Sequence, residues 1–86
     1  MPMSKFDKLT LKILRGASDS NINFADLCEL LKKLGFQERT RSSHHVFRKE
    51  GIEEKINLQE DDGKAKPYQV RQVRTILIKY RLVGDD

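Results

Sequence analysis

Apolar side chains recur along this chain with two different periods, and the switch between them marks the architecture. Phe6, Leu9 and Ile13, with Leu14 beside them, fall at helical spacing and predict a short amphipathic helix over residues 4–15. The small and polar run from Gly16 to Asn21 reads as a connector. Phe24, Leu27, Cys28, Leu31 and Leu34 then line one stripe of a second helix. Asn23 is suited to its N-cap, Asp26 to its positive end, and Gly35 to a left-handed stop. From Phe36 the period changes. The segments 36–41, 43–49 and 53–58 are each of strand length, with Gly51 placed to turn the second into the third as a hairpin. Asp61-Asp62-Gly63 closes the sheet region with strong turn chemistry. Pro67 opens a last helix at a favoured first-turn position; Val70, Val73, Leu77 and Tyr80 form its apolar stripe, and Gly84 is placed to end it.

The resulting order is helix, helix, three strands, helix. It predicts an α+β domain in which a three-stranded antiparallel sheet buries one face beneath two helices, 24–34 and 67–83, with an extra N-terminal helix. Residues 1–22 read as a helical extension and connector, and residues 23–84 as the domain proper. A chain of 86 residues has room for one thin core and none for a deep, enclosed cofactor pocket.

The formal net charge of +4 gains meaning when split along the chain. Residues 36–62 carry five basic and seven acidic side chains, whereas residues 63–84 carry Lys64, Lys66, Arg71, Arg74, Lys79 and Arg81 with no acid. A stretch of this kind is expected to meet a polyanion, and phosphate contacts from it position a nucleic acid without reading its bases. Cys28 is the single cysteine, which excludes a disulfide framework and a thiolate metal cluster. No apolar run approaches the ~20 residues of a membrane helix, and Lys5, Asp7 and Lys8 interrupt any secretory core, so no membrane partner is expected and the expected compartment is cytoplasmic.

Titratable chemistry clusters once, at Ser43-His44-His45-Val46-Phe47, which contains both histidines of the chain. On a strand, neighbours point to opposite faces. With Phe47 as the core anchor, His45 shares its half-buried face and His44 points to the open side. A zinc site requires several converging ligands, and the pattern commits Cys28 to an apolar helix stripe, so no metal site is assigned. Glu60-Asp61-Asp62 lacks the spacing of a calcium loop and reads as a solvated turn. Tyr68 and Tyr80 are both suited to stacking on bases, although Tyr80 fits the core stripe.

From Phe24 onward the chain resembles the HicA family of bacterial toxin–antitoxin ribonucleases. The resemblance is carried by Phe24-Ala25-Asp26-Leu27-Cys28-Glu29-Leu30-Leu31-Lys32-Lys33-Leu34-Gly35-Phe36, by Ser43-His44-His45-Val46-Phe47, and by Lys66-Pro67 with the helix that follows, about 60 of the 86 residues. It implies a double-stranded-RNA-binding-like fold, metal-independent cleavage of messenger RNA without a cofactor, and neutralisation by a HicB-type antitoxin. The family's glycine before Ser-His-His is Ser42 here, a costly replacement if the backbone there is left-handed. Residues 1–22 have no counterpart in shorter members.

The chemistry expected is transfer of a ribose 2′-hydroxyl proton to an imidazole, since histidine's unperturbed pKa of ~6.5 leaves it largely neutral at cellular pH. His44 is the expected general base, with His45 held in reserve and Ser43 in a supporting role. Arg48, Lys64, Lys66, Arg71 and Arg74 are the expected RNA contacts. A HicB-type antitoxin is expected to cover the histidine face. Two readings compete: a non-catalytic HicA-like RNA-binding module whose site has decayed at Ser42, and a DNA-binding or protein-interaction domain.

Overall fold

The second apolar stripe folds as the pattern dictates. Asn23 Oδ1 accepts the backbone N–H of Asp26 at 2.9 Å, and helix α2 runs Phe24–Lys33 with Leu27 and Leu31 fully buried. Its end is a Schellman turn: Gly35 lies at φ 101°, and the N–H groups of Gly35 and Phe36 reach the carbonyls of Lys32 and Leu31. That turn delivers Phe36, 3% exposed, into the core and launches the sheet. The computed structural model describes residues 3–82.

Around α2 the chain orders itself as α1 (Lys5–Arg15), α2, β1 (Gln37–Arg41), β2 (His44–Arg48), β3 (Ile56–Asp61), β4 (Lys64–Ala65) and α3 (Pro67–Lys79). The sheet has four strands rather than the expected three, in the order β1-β2-β3-β4 and antiparallel throughout. The added strand comes from a misjudged boundary. β3 begins at Ile56 and continues through Asp61, so Asp62-Gly63 is the two-residue turn of a further hairpin rather than a closing loop. Both turn residues have positive φ, 55° and 79°, the conformation in which an Asp-Gly pair links strands most readily.

The expected hairpin through Gly51 is present, with Gly51 at φ 90° inside a longer connection between β2 and β3. β1 and β2 are joined by Ser42-Ser43 alone, since Arg41 pairs with His44. Ser42 carries φ 58°, at a turn position that favours glycine.

The helices cover one face of the sheet. Phe47, Ile56 and Leu58 from that face meet Leu27 and Leu31 of α2 and Val70, Val73 and Leu77 of α3. Gln69 is the one buried polar side chain among the described residues; its Oε1 accepts the backbone N–H groups of Gln59 and Lys66, so it is satisfied where β3, β4 and α3 converge.

The N-terminal segment contributes to this core through Ile13 and Ile22. Ile13 and Ile22 are fully buried, the Ala65 N–H reaches the Ile22 carbonyl, and Asn23 bridges to Lys64 beside β4. Arg74 fixes the arrangement from α3: its guanidinium donates to the Ile13 carbonyl at 3.0 Å and to both oxygens of Asp19 at 2.9 and 3.1 Å. Helix α3 ends earlier than expected, in a second Schellman turn, with Arg81 at φ 52° and the Leu82 N–H on the Leu77 carbonyl. The expected stop at Gly84 lies outside the described residues. Among those described, no helix is long and apolar enough to cross a membrane.

Candidate functional site

Strand alternation separates the two histidines. His45 pairs across the sheet with Thr40 and Leu58, and shares the helix-covered face with Phe47. His44 pairs with Arg41 and Gln59 on the opposite, open face, where it is exposed.

Each ring is oriented by a different partner. His44 Nδ1 lies 3.3 Å from Asn57 Oδ1 on the neighbouring strand. With the Asn57 amide oxygen as acceptor, this contact places the proton on Nδ1 and leaves Nε2 as the acceptor nitrogen of an exposed ring. His45 Nδ1 lies 2.6 Å from Glu38 Oε2, and its ring meets the Phe24 ring edge-on at a centroid separation of 5.0 Å. Glu38 Oε1 is held in turn by Lys32 at 3.3 Å. The hydrogen bond from His45, reinforced by Lys32, holds the Glu38 carboxyl below its usual range. His45 is therefore half-buried and anchored by Glu38, whereas His44 is exposed.

The open face around His44 is rich in cations. By register and alternation Arg39, Arg41, Arg48 and Lys64 share it, and Lys66 reaches it through an Nζ–Gln59 Oε1 contact of 3.4 Å. Asp61 is the one acid at the strand positions of this face. Gln59 Nε2 also donates to Ser43 Oγ at 3.2 Å, so Ser43, Gln59 and Lys66 form a chain beside His44. None of Arg39, Arg41, Arg48 and Lys64 makes a side-chain hydrogen bond or ion pair among the described residues. Their charge is available to a ligand.

Of the expected RNA contacts, Arg48, Lys64 and Lys66 fall on the same face as His44. Arg71 and Arg74 do not, because α3 packs on the other side of the sheet. Arg71 is exposed there, but Arg74 is only 20% exposed and spent on Asp19. Arg74 is thus a fastener of the fold, its guanidinium occupied by Asp19 and the Ile13 carbonyl and away from the His44 face. Tyr80 packs against the core with its hydroxyl on Glu54, while Tyr68 is 58% exposed.

Three contributors escaped the sequence reading. Arg39 and Arg41 lie in a segment whose acids outnumber its bases, so a charge count along the chain conceals them. Only alternation within β1, counted from the buried Phe36, would have separated them from Glu38. Asn57 was missed because its contact with His44 depends on the β2–β3 register, which no local pattern announces.

A second cluster sits on the covered face. Cys28 of α2, Glu38 of β1 and His45 of β2 offer one ligand atom each, all within 4.8 Å of one another. Burial pushes the Cys28 thiol up to about 11, with the Glu38 charge adding to the effect. Compared with known proteins, the chain matches no family model, no curated protein and no solved structure.

Proposed function

We propose that this chain is a HicA-like endoribonuclease, the toxin of a cytoplasmic toxin–antitoxin pair, built on a double-stranded-RNA-binding-like fold and acting on messenger RNA. The observation that carries the reading is the exposed His44, tethered through Nδ1 to Asn57 and surrounded by cations on the open sheet face. His44 Nε2 accepts the 2′-hydroxyl proton. The 2′-oxygen attacks the adjacent phosphorus and the 5′-oxygen departs, taking a proton from solvent. The products are a 2′,3′-cyclic phosphate end and a 5′-hydroxyl end.

Arg41, across the ladder from His44, and Lys66, beyond Gln59, offset the charge that develops on the phosphoryl oxygens. Asn57 is a positioning residue that selects the tautomer. Ser43 holds Gln59 and, through it, Lys66. Among the described residues none is assigned to protonate the leaving group, and a lone base supplies roughly 10²–10⁴-fold. The enzyme is accordingly a slow one. Its partner is a HicB-type antitoxin that covers the His44 face.

The test is cleavage of single-stranded RNA in EDTA by purified wild-type protein and by two variants. His44→Ala is expected to lose at least ~10²-fold in rate with an unchanged circular dichroism spectrum. His45→Ala is expected to melt at a lower temperature yet cleave while folded. Loss of cleavage in His45→Ala alone would transfer the role of base to the covered face. RNA binding by the wild type without cleavage would favour the non-catalytic module, with Ser42 as the altered position.

A further inference from the structure

The chain contains one cysteine and two histidines, and the fold brings the cysteine to only one of those histidines. Cys28 is on α2, Glu38 on β1 and His45 on β2, so three separate elements converge on one point beneath the sheet. Their ligand atoms, all within 4.8 Å of one another, span little more than the donors of a tetrahedral zinc ion. With metal–ligand bonds of about 2.0–2.3 Å, such donors sit roughly 3.3–3.8 Å apart. Among the described residues this is the one group of three such side chains with that geometry.

We propose that Cys28, Glu38 and His45 form a binding site for a divalent transition metal of the zinc class. The donor set makes the choice: sulfur, imidazole nitrogen and one carboxylate suit Zn²⁺, whereas Mg²⁺ and Ca²⁺ take all-oxygen sets. Glu38 is already oriented for the task. Lys32 holds its Oε1, so Oε2 is the oxygen turned toward His45. The Phe24 edge fixes the plane of the His45 ring. These are the outer contacts that position metal ligands. Binding forms a metal–sulfur bond and releases the thiol proton to solvent. The His45–Glu38 hydrogen bond gives way to shared ligation, the Nδ1 proton passing through solvent to Nε2, and no electrons change hands. Three protein ligands leave a fourth position for water.

The site ties α2 to the β1–β2 hairpin from the covered face, while His44 stands on the other side of the sheet. It neither rests on the ribonuclease reading nor supplies chemistry to it.

Untagged full-length protein, stripped with EDTA and desalted, is titrated with Co²⁺ and then Zn²⁺. The expected result is visible absorption of tetrahedral Co²⁺ with a near-ultraviolet thiolate-to-metal band, saturating at one ion per chain and bleached by Zn²⁺. Cys28→Ser should lose the thiolate band. His45→Ala should weaken binding at least ~10-fold, and His44→Ala, which removes the proposed base, should retain the full spectrum. Absence of a thiolate band in the wild type, or the same spectrum from Cys28→Ser, would overturn the proposal whatever the RNA assay gives.

Discussion

The two faces of β2 put neighbouring residues of the same type to opposite uses. On the covered face His45 is half-buried, bonded to Glu38 and set against Phe24. On the open face His44 is exposed, and one ring nitrogen is committed to Asn57. The cations divide in the same way. Arg74, in the helical layer, is spent on Asp19 and the Ile13 carbonyl, while Arg41 on the open face has no such partner among the described residues. Residue type therefore says little about role in this molecule, and the face on which a residue lands says most.

The largest test of that division is in the hydrophobic residues between the histidines and the end of the strand. Phe47→Ala should cost about 3–5 kcal/mol, because it empties the centre of the core, whereas Val46→Ala on the open face should cost under about 1 kcal/mol. Urea denaturation midpoints would show it, and similar losses from both would mean that the open face is also structural.

Next comes the pair of arginines. Arg74→Ala should lose about 1–3 kcal/mol of stability by stranding Asp19 and a main-chain carbonyl. Arg41→Ala should leave stability within about 0.5 kcal/mol, but lower the slope of log K for single-stranded RNA against log salt by about 0.7. The pair has a pH signature of defined sign. Arg74 holds the Asp19 carboxyl below its usual range, so this contribution is intact above the ordinary carboxylate pKa and lost as pH falls through the folded-state value. The stability gap between wild type and Arg74→Ala should close on acidification below about pH 4. A gap independent of pH would show that Arg74 acts through the Ile13 carbonyl alone.

The smallest effect is expected at the turn between the faces. Ser42 sits at φ 58°, and Ser42→Gly should stabilise by about 1 kcal/mol with RNA cleavage retained. A loss of stability would mean that the serine side chain contributes something beyond occupying a glycine position.

Much of the fold was legible because local signals were strong. Asn23 and Gly35 bracket α2 as expected, Pro67 opens α3, and alternation through His44, His45 and Phe47 assigns both rings to their faces. The misreadings have physical causes. β4 is two residues long, too short to show a period, and beside its pairing with β3 it takes a backbone bond from Ala65 to Ile22 that no local pattern announces. The part that Ile13 and Ile22 play in the core was not visible locally, because the first apolar stripe is brief and Ile22 stands outside any periodic segment. Arg74 looked like one more cation on a basic helix, because its partner Asp19 is 55 residues away in sequence. The Cys28, Glu38 and His45 cluster was hidden likewise: each residue has an ordinary local explanation, and only the packing of α2 on β1 and β2 brings them together.

With Arg41 and His44 directly paired, only Ser42 and Ser43 connect the first two strands, and the loop has no slack. Side chains on a strand repeat every two residues, so a shift of one position would exchange every inward group for its outward neighbour. The short connection therefore acts as an indexing pin. It settles which imidazole meets solvent and which meets hydrocarbon, and a single codon inserted there would put both assignments at stake together.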